Sequence, residues 1–197
     1  MAGRHGGFGR AAVALLGMAA PLWLGAPAGA ADTVTLGGPF ELTDQNGVTR
    51  TAEDFYGSYP LIYFGFTYCP DLCPTTLAKM TQALDSLAKR APDKAARVVP
   101  LFITVDPQRD TVAVLRDYVP NFHPRLVGLT GTPEQIGQVA RNYGVFYAPV
   151  PMGGGNYLMD HSGFILLMGP AGEYLTHFES AIDAAQLAEA LERRVVE

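Results

Sequence analysis

Cysteine is scarce in this sequence, with 2 residues in 197. So few thiols exclude the multiple-disulfide scaffold that supports many small exported domains. Basic clusters are missing as well. The 14 Lys and Arg are scattered among 19 Asp and Glu, for a formal net charge of −5. That balance excludes a nucleic-acid footprint and a polybasic membrane patch. No internal repeat occurs, and the one low-complexity run is Gly153 to Gly155. No acidic residue precedes Asp32.

The N-terminal stretch differs in kind from the rest. Arg4 and Arg10 lead into the apolar "AAVALLGMAAPLWLGA", and the small residues "AGA" stand just before Ala31. This pattern predicts an export signal over residues 1–30, cleaved after about Ala30, with one domain over 31–197. The apolar run is interrupted by Pro21 and falls short of the roughly 20 residues of a comfortable membrane span. An N-terminal anchor in the inner membrane is therefore the weaker reading. Either way the domain works in an oxidising, extracytoplasmic space, the periplasm.

What is present reads as a mixed α/β domain. Asn46-Gly47 predicts an N-terminal hairpin. "PLIYFGFTY" and "RVVPLFITVD" are continuous apolar runs that suit buried central strands, and "RLVGLTG" is a third. After Pro74, the spacing of Leu77, Met80, Ala83, Leu84 and Leu87 predicts a helix. "TVAVLRDYV" reads as a short helix capped by Asp110. Thr132, Pro133 and Gly144 punctuate another helix. The segment "PMGGGNYLMD" reads as a flexible loop, "GFILLMGPAGEYLTHF" as a hairpin turning at Pro170 to Gly172, and "DAAQLAEALERRV" as a closing helix. The order predicts a thioredoxin-like fold: a mixed sheet flanked by helices, with an N-terminal hairpin.

Both cysteines, Cys69 and Cys73, lie in "FGFTYCPDLCPTTL", directly after the first central strand, where sites form in such sheets. A bridge between them closes so small a loop that it restrains the unfolded chain little, so a purely structural disulfide is a poor explanation. A redox pair and a metal site remain open. Pro74 suits the first helical position, which predicts Cys73 as the N-cap of an exposed turn, its thiolate favoured by the helix dipole.

Two thiolates need a partner to complete a metal site. His123 and His177 read as surface and half-exposed strand residues. His161, in "YLMDHSGFILLMG", precedes the penultimate strand, at the approach that faces the cysteines in a thioredoxin-like fold. Asp160 beside it can orient the ring. A Cys2His set favours Cu(I), with Cu(II) or Zn(II) as alternatives, whereas a closed zinc site wants a fourth ligand that is not evident. Met152 and Met159 read as apolar contacts. In "DPQRD", Asp106 and Arg109 sit on a strand-end loop that can bring supporting or docking charges beside the cysteines.

Three segments in order, "FGFTYCPDLCPTTL", "ITVDPQRDT" and "DHSGFILLMGPAGEYLTHF", resemble the Sco/SenC family of copper chaperones for cytochrome c oxidase assembly. The likeness runs from about Phe40 to the end. It implies one copper ion held by Cys69, Cys73 and His161, Cu(I) or Cu(II), and passed to the binuclear CuA centre of cytochrome c oxidase subunit II. A further periplasmic copper donor is a second partner to look for. Family members commonly keep an N-terminal membrane anchor, whereas this chain offers a cleavage site. The resemblance implies a metal carrier rather than an enzyme. The rival reading is a thiol–disulfide oxidoreductase that keeps the CuA cysteines reduced. Its weakness is the Cys-x3-Cys spacing in place of Cys-x2-Cys.

Overall fold

A computed structural model of the chain describes residues 36–196. The predicted export signal and the domain boundary at residue 31 lie outside the described residues. Within them, no helix is long and apolar enough to cross a membrane.

The chain begins with the predicted hairpin, β1 (Glu41–Asp44) and β2 (Thr49–Thr51). Gly47 takes the turn at φ 79°, and the buried Asp44 carboxylate accepts the N–H groups of Asn46 and Val48 and the Arg50 Nε at 2.8–3.0 Å. Then come β3 (Tyr59–Gly65), α1 (Leu72–Arg90), α2 (Pro92–Arg97) and β4 (Val98–Thr104). They are followed by α3 (Val112–Tyr118), β5 (Val127–Thr130) and α4 (Pro133–Asn142). The chain closes with β6 (Tyr147–Gly153), β7 (Asn156–His161), β8 (Phe164–Met168), β9 (Tyr174–Glu179) and α5 (Ala184–Arg194). The main sheet runs β2-β1-β5-β4-β3-β8-β9, parallel across β5-β4-β3 and antiparallel at both flanks. This is the mixed, thioredoxin-like sheet with flanking helices that the sequence predicts.

Burial explains the order. Every residue of β3 is buried, as a central strand covered on both faces requires. The α1 stripe of Leu77, Met80, Ala83, Leu84 and Leu87 is buried, and α1 packs against α5. Helix α4 starts in a capping box: the Thr132 hydroxyl accepts the Gln135 N–H, and the Gln135 side chain accepts the Thr132 N–H.

Four features depart from expectation. Helix α1 begins at Leu72, so Asp71 occupies the N-cap, Cys73 lies inside the first turn, and Pro74 is the third helical residue rather than the first. Proline is tolerated there because the leading N–H groups of a helix have no intrahelical partner. Thr111, not Asp110, caps α3 by accepting the Val114 N–H, because Asp110 turns inward. The "PMGGGNYLMD" segment is ordered as a second hairpin, β6 and β7, forming a two-stranded sheet of its own. Pro149 and Pro151 fit β6 because its other edge pairs with nothing among the described residues. His123 is buried, its Nδ1 accepting the Arg125 N–H, rather than lying on the surface.

Candidate metal centre

Strand β3 ends at Gly65 and the chain turns through Phe66 to Tyr68, with the Cys69 N–H donating to the Phe66 carbonyl at 3.2 Å. Four residues later Cys73 is fully buried in the first turn of α1, while Cys69 is half-buried at the rim. Both thiols are free. The Cys73 N–H, one of the unpaired amides at the helix start, donates to the Cys69 sulfur at 3.3 Å. Tyr63, from β3, reaches the Cys73 sulfur with its hydroxyl at 3.7 Å.

His161 arrives from the opposite side, as the last residue of β7. Its Nε2 lies 3.6 Å from the Cys73 sulfur, and its Nδ1 is 3.0 Å from the Ser162 carbonyl. A carbonyl only accepts, so Nδ1 carries a proton, and Nε2 is left to face the sulfurs. The ring is edge-on to Tyr63 and Phe66, with centroids at 6.1 and 5.9 Å. Ser162 fixes the local backbone by exchanging hydrogen bonds with Phe146.

The two thiols differ sharply. Hydrogen bonding from Cys73 lowers the Cys69 pKa to about 4 against the opposing effect of burial, with His161 and the helix-start amide assisting. Sharing that bond with Cys69, together with burial, pushes the Cys73 thiol well up. The thiolate therefore sits on Cys69, not on Cys73 as its predicted N-cap place implied. The main cause is the hydrogen bond between the two side chains, to which the Cys73 N–H, aimed at Cys69 by the early helix start, adds.

Strand β3 makes room for this arrangement at Gly65. A Cβ there stands 2.9 Å from both the Cys73 sulfur and the Phe102 ring. Gly65→Ala is thus expected to cost about 1–3 kcal/mol by overpacking. It should also displace the Cys73 sulfur, which a chemical-denaturation curve and a metal titration on the same sample would detect.

Cys69, Cys73 and His161 therefore lie together at the end of β3, with Cys73 between the other two. Cys73 links the other two, its N–H donating to the Cys69 sulfur and its own sulfur 3.6 Å from His161 Nε2, and among the described residues no group of three or more His, Cys, Asp or Glu is already arranged to hold a metal ion. Loading a metal would exchange these hydrogen bonds for metal bonds. Two sulfurs and an imidazole nitrogen are donors that fit a soft or borderline ion such as copper.

The other candidates fall into two groups. Asp106 and Arg109 lie beside the cysteine loop: Arg109 stacks 4.9 Å from the ring of Tyr68, the neighbour of Cys69, and forms an ion pair with the buried Asp106. Asp160 is exposed and forms no hydrogen bond with the His161 ring, whose Nδ1 is taken by the Ser162 carbonyl. Sequence reasoning missed Tyr63, Gly65 and Tyr157. Only Gly65 left a signal, a glycine interrupting an otherwise bulky strand just before the cysteines.

A model of the SCO1/SenC family matches residues 28–196. A SCO2-like protein of Rickettsia prowazekii is 45% identical over 160 residues, 80% of this chain and 76% of that protein. The human mitochondrial SCO1 homolog is 48% identical over 146 residues, 73% of this chain and 47% of that protein. Among solved structures, Arabidopsis thaliana ScoI with copper bound superposes with a TM-score of 0.76 at 40% identity, covering 80% of this chain and 96% of that one.

Proposed function

Because the chain belongs to the SCO1/SenC family, we propose that it is a copper carrier in which Cys69, Cys73 and His161 hold one ion and release it to the CuA centre of cytochrome c oxidase subunit II. Carrying this reading is the meeting of two free thiols with an imidazole whose Nε2 is 3.6 Å from the Cys73 sulfur. Copper is cargo here. Cys69 at the rim and the half-buried His161 are open to an incoming ligand, while Cys73 is sealed beneath them. Acceptor thiolates or imidazoles would replace the donor ligands one at a time, and no turnover is required. We assign residues 1–30 to an export signal and the remainder to a periplasmic domain, with an uncleaved inner-membrane tether as the alternative. A further periplasmic copper donor would load it.

A second reading draws on the thiol pair itself. A half-exposed thiolate over a buried thiol can attack a disulfide and then be resolved by its neighbour. Such a dithiol would reduce the CuA cysteines rather than fill them.

Titration of Cu(I), in competition with a calibrated chelator, into the reduced domain starting at Ala31 tests the carrier. One tight site per chain is expected, with His161→Ala weakening it roughly ten- to a hundred-fold. Unchanged affinity in that variant removes His161 from the site. In that event, reduction of a disulfide-bonded CuA domain becomes the experiment to run.

A further inference from the structure

The His161 ligand rides on a hairpin that belongs to no larger sheet. An open groove of about 250 Å³, lined by Asp106, Pro107, Pro133, Tyr147, Tyr157 and Met159, separates that hairpin from the loop after β4 and the start of α4. Something must set its distance from the cysteine loop. One cluster does so. The Arg109 guanidinium lies 3.7 Å from the Tyr157 ring centroid on β7 and 4.9 Å from that of Tyr68, beside Cys69. Its Nη1 donates to the Tyr157 carbonyl at 2.9 Å, and its Nε pairs with Asp106. The Tyr157 hydroxyl donates to the same Asp106 carboxylate at 2.8 Å, and that carboxylate is 3% exposed. The remaining nitrogen, Nη2, is buried without a hydrogen-bond partner among the described residues. Stacking on the tyrosine rings thus adds to the two hydrogen bonds in fixing the guanidinium.

Resting on the copper-carrier reading, we propose that Arg109, braced by Asp106, is a positioning residue: a strut between Tyr68 and Tyr157 that holds the His161 hairpin against the Cys69–Cys73 loop. The planar fork is needed because one group must stack on an aromatic ring and donate to a carbonyl and a carboxylate together. The strut touches neither sulfur nor imidazole. Its effect on copper therefore passes through His161.

The test uses Arg109→Gln and Tyr157→Phe, each alone and combined with His161→Ala, in the domain starting at Ala31. Amide exchange of the reduced, metal-free protein is read first. Arg109→Gln is expected to speed exchange in β6 and β7 about ten-fold or more while leaving β3 and β4 unchanged. Cu(I) affinity should then fall about ten-fold in the His161 background and less than about two-fold in the His161→Ala background. Equal losses in both backgrounds, or unchanged exchange in the hairpin, overturn the strut. Should Arg109→Gln fail to fold, Tyr157→Phe carries both readouts, with changes of about three-fold expected. The exchange arm contains no copper. A strut that fails there fails by itself, whereas wild-type protein that binds no Cu(I) sinks the carrier reading alone.

Discussion

Oxidising Cys69 and Cys73 to a disulfide is expected to abolish Cu(I) binding, a loss on the order of a thousand-fold or more that Cys69→Ser/Cys73→Ser should match. The disulfide removes both anionic sulfurs and leaves His161 as a lone neutral ligand. The two free thiols also predict how binding depends on pH. Cys69 is already a thiolate above about pH 4, whereas Cys73 keeps its proton through the neutral range. Copper must therefore displace about one thiol proton around pH 7 to 8, so affinity rises about ten-fold per pH unit there. Below about pH 4 Cys69 is protonated too, which adds a second thiol proton to those displaced. Calorimetry in buffers of different ionisation enthalpy counts these protons. Two protons released at neutral pH would show that the thiols are not divided in this way.

That division is also where sequence reading reached its limit. That Cys69, Cys73 and His161 lie together was legible because thiols are rare here and one histidine alone stands where a thioredoxin-like fold turns toward them. Which sulfur carries the charge was not legible. It depends on the hydrogen bond between the two side chains and on how deeply each is buried, which α1 starting at Leu72 sets, one turn detail that Pro74 permits in more than one register. The hairpin of β6 and β7 was hidden for a similar reason. Pro149, Pro151 and three consecutive glycines look like loop composition, and only an unpaired strand edge accommodates them. Missing the hairpin meant missing Tyr157, which looks like any aromatic until register brings it over Arg109. Buried strands and the helical stripe of α1 were read correctly because hydrophobic period depends on local sequence alone. Contacts such as Arg109 with Tyr157, 48 positions apart, have no local trace.

Asp110→Ala is expected to destabilise the domain by about 3–5 kcal/mol, while Asp110→Asn should stay within about 1 kcal/mol of wild type. Asp110 is fully buried and ties three segments together. Its carboxylate accepts the Thr67 N–H at 3.0 Å, the Thr67 hydroxyl at 2.5 Å and the Thr104 hydroxyl at 2.6 Å, while its own carbonyl accepts from Thr130. Alanine leaves an amide and two hydroxyls facing a void, each worth about 1–3 kcal/mol before rotation of the hydroxyls recovers part. Asparagine can keep all three contacts: its oxygen accepts from Thr67 N–H and Thr104, and its amide donates to a reoriented Thr67 hydroxyl. It also removes a cost. Burial raises the Asp110 pKa despite those hydrogen bonds, with Asp106 adding to the rise. The unfolded chain then ionises first, so this residue's stability is full below the ordinary aspartate range and is lost as pH rises through the folded value. Denaturation curves across that range should show the loss in wild type and its absence in Asp110→Asn. Equal destabilisation by alanine and asparagine would instead mean that charge, not hydrogen-bond acceptance, holds the loop. Because Thr67 stands two residues before Cys69, alanine should also loosen the thiol pair and weaken Cu(I) binding, and asparagine should not.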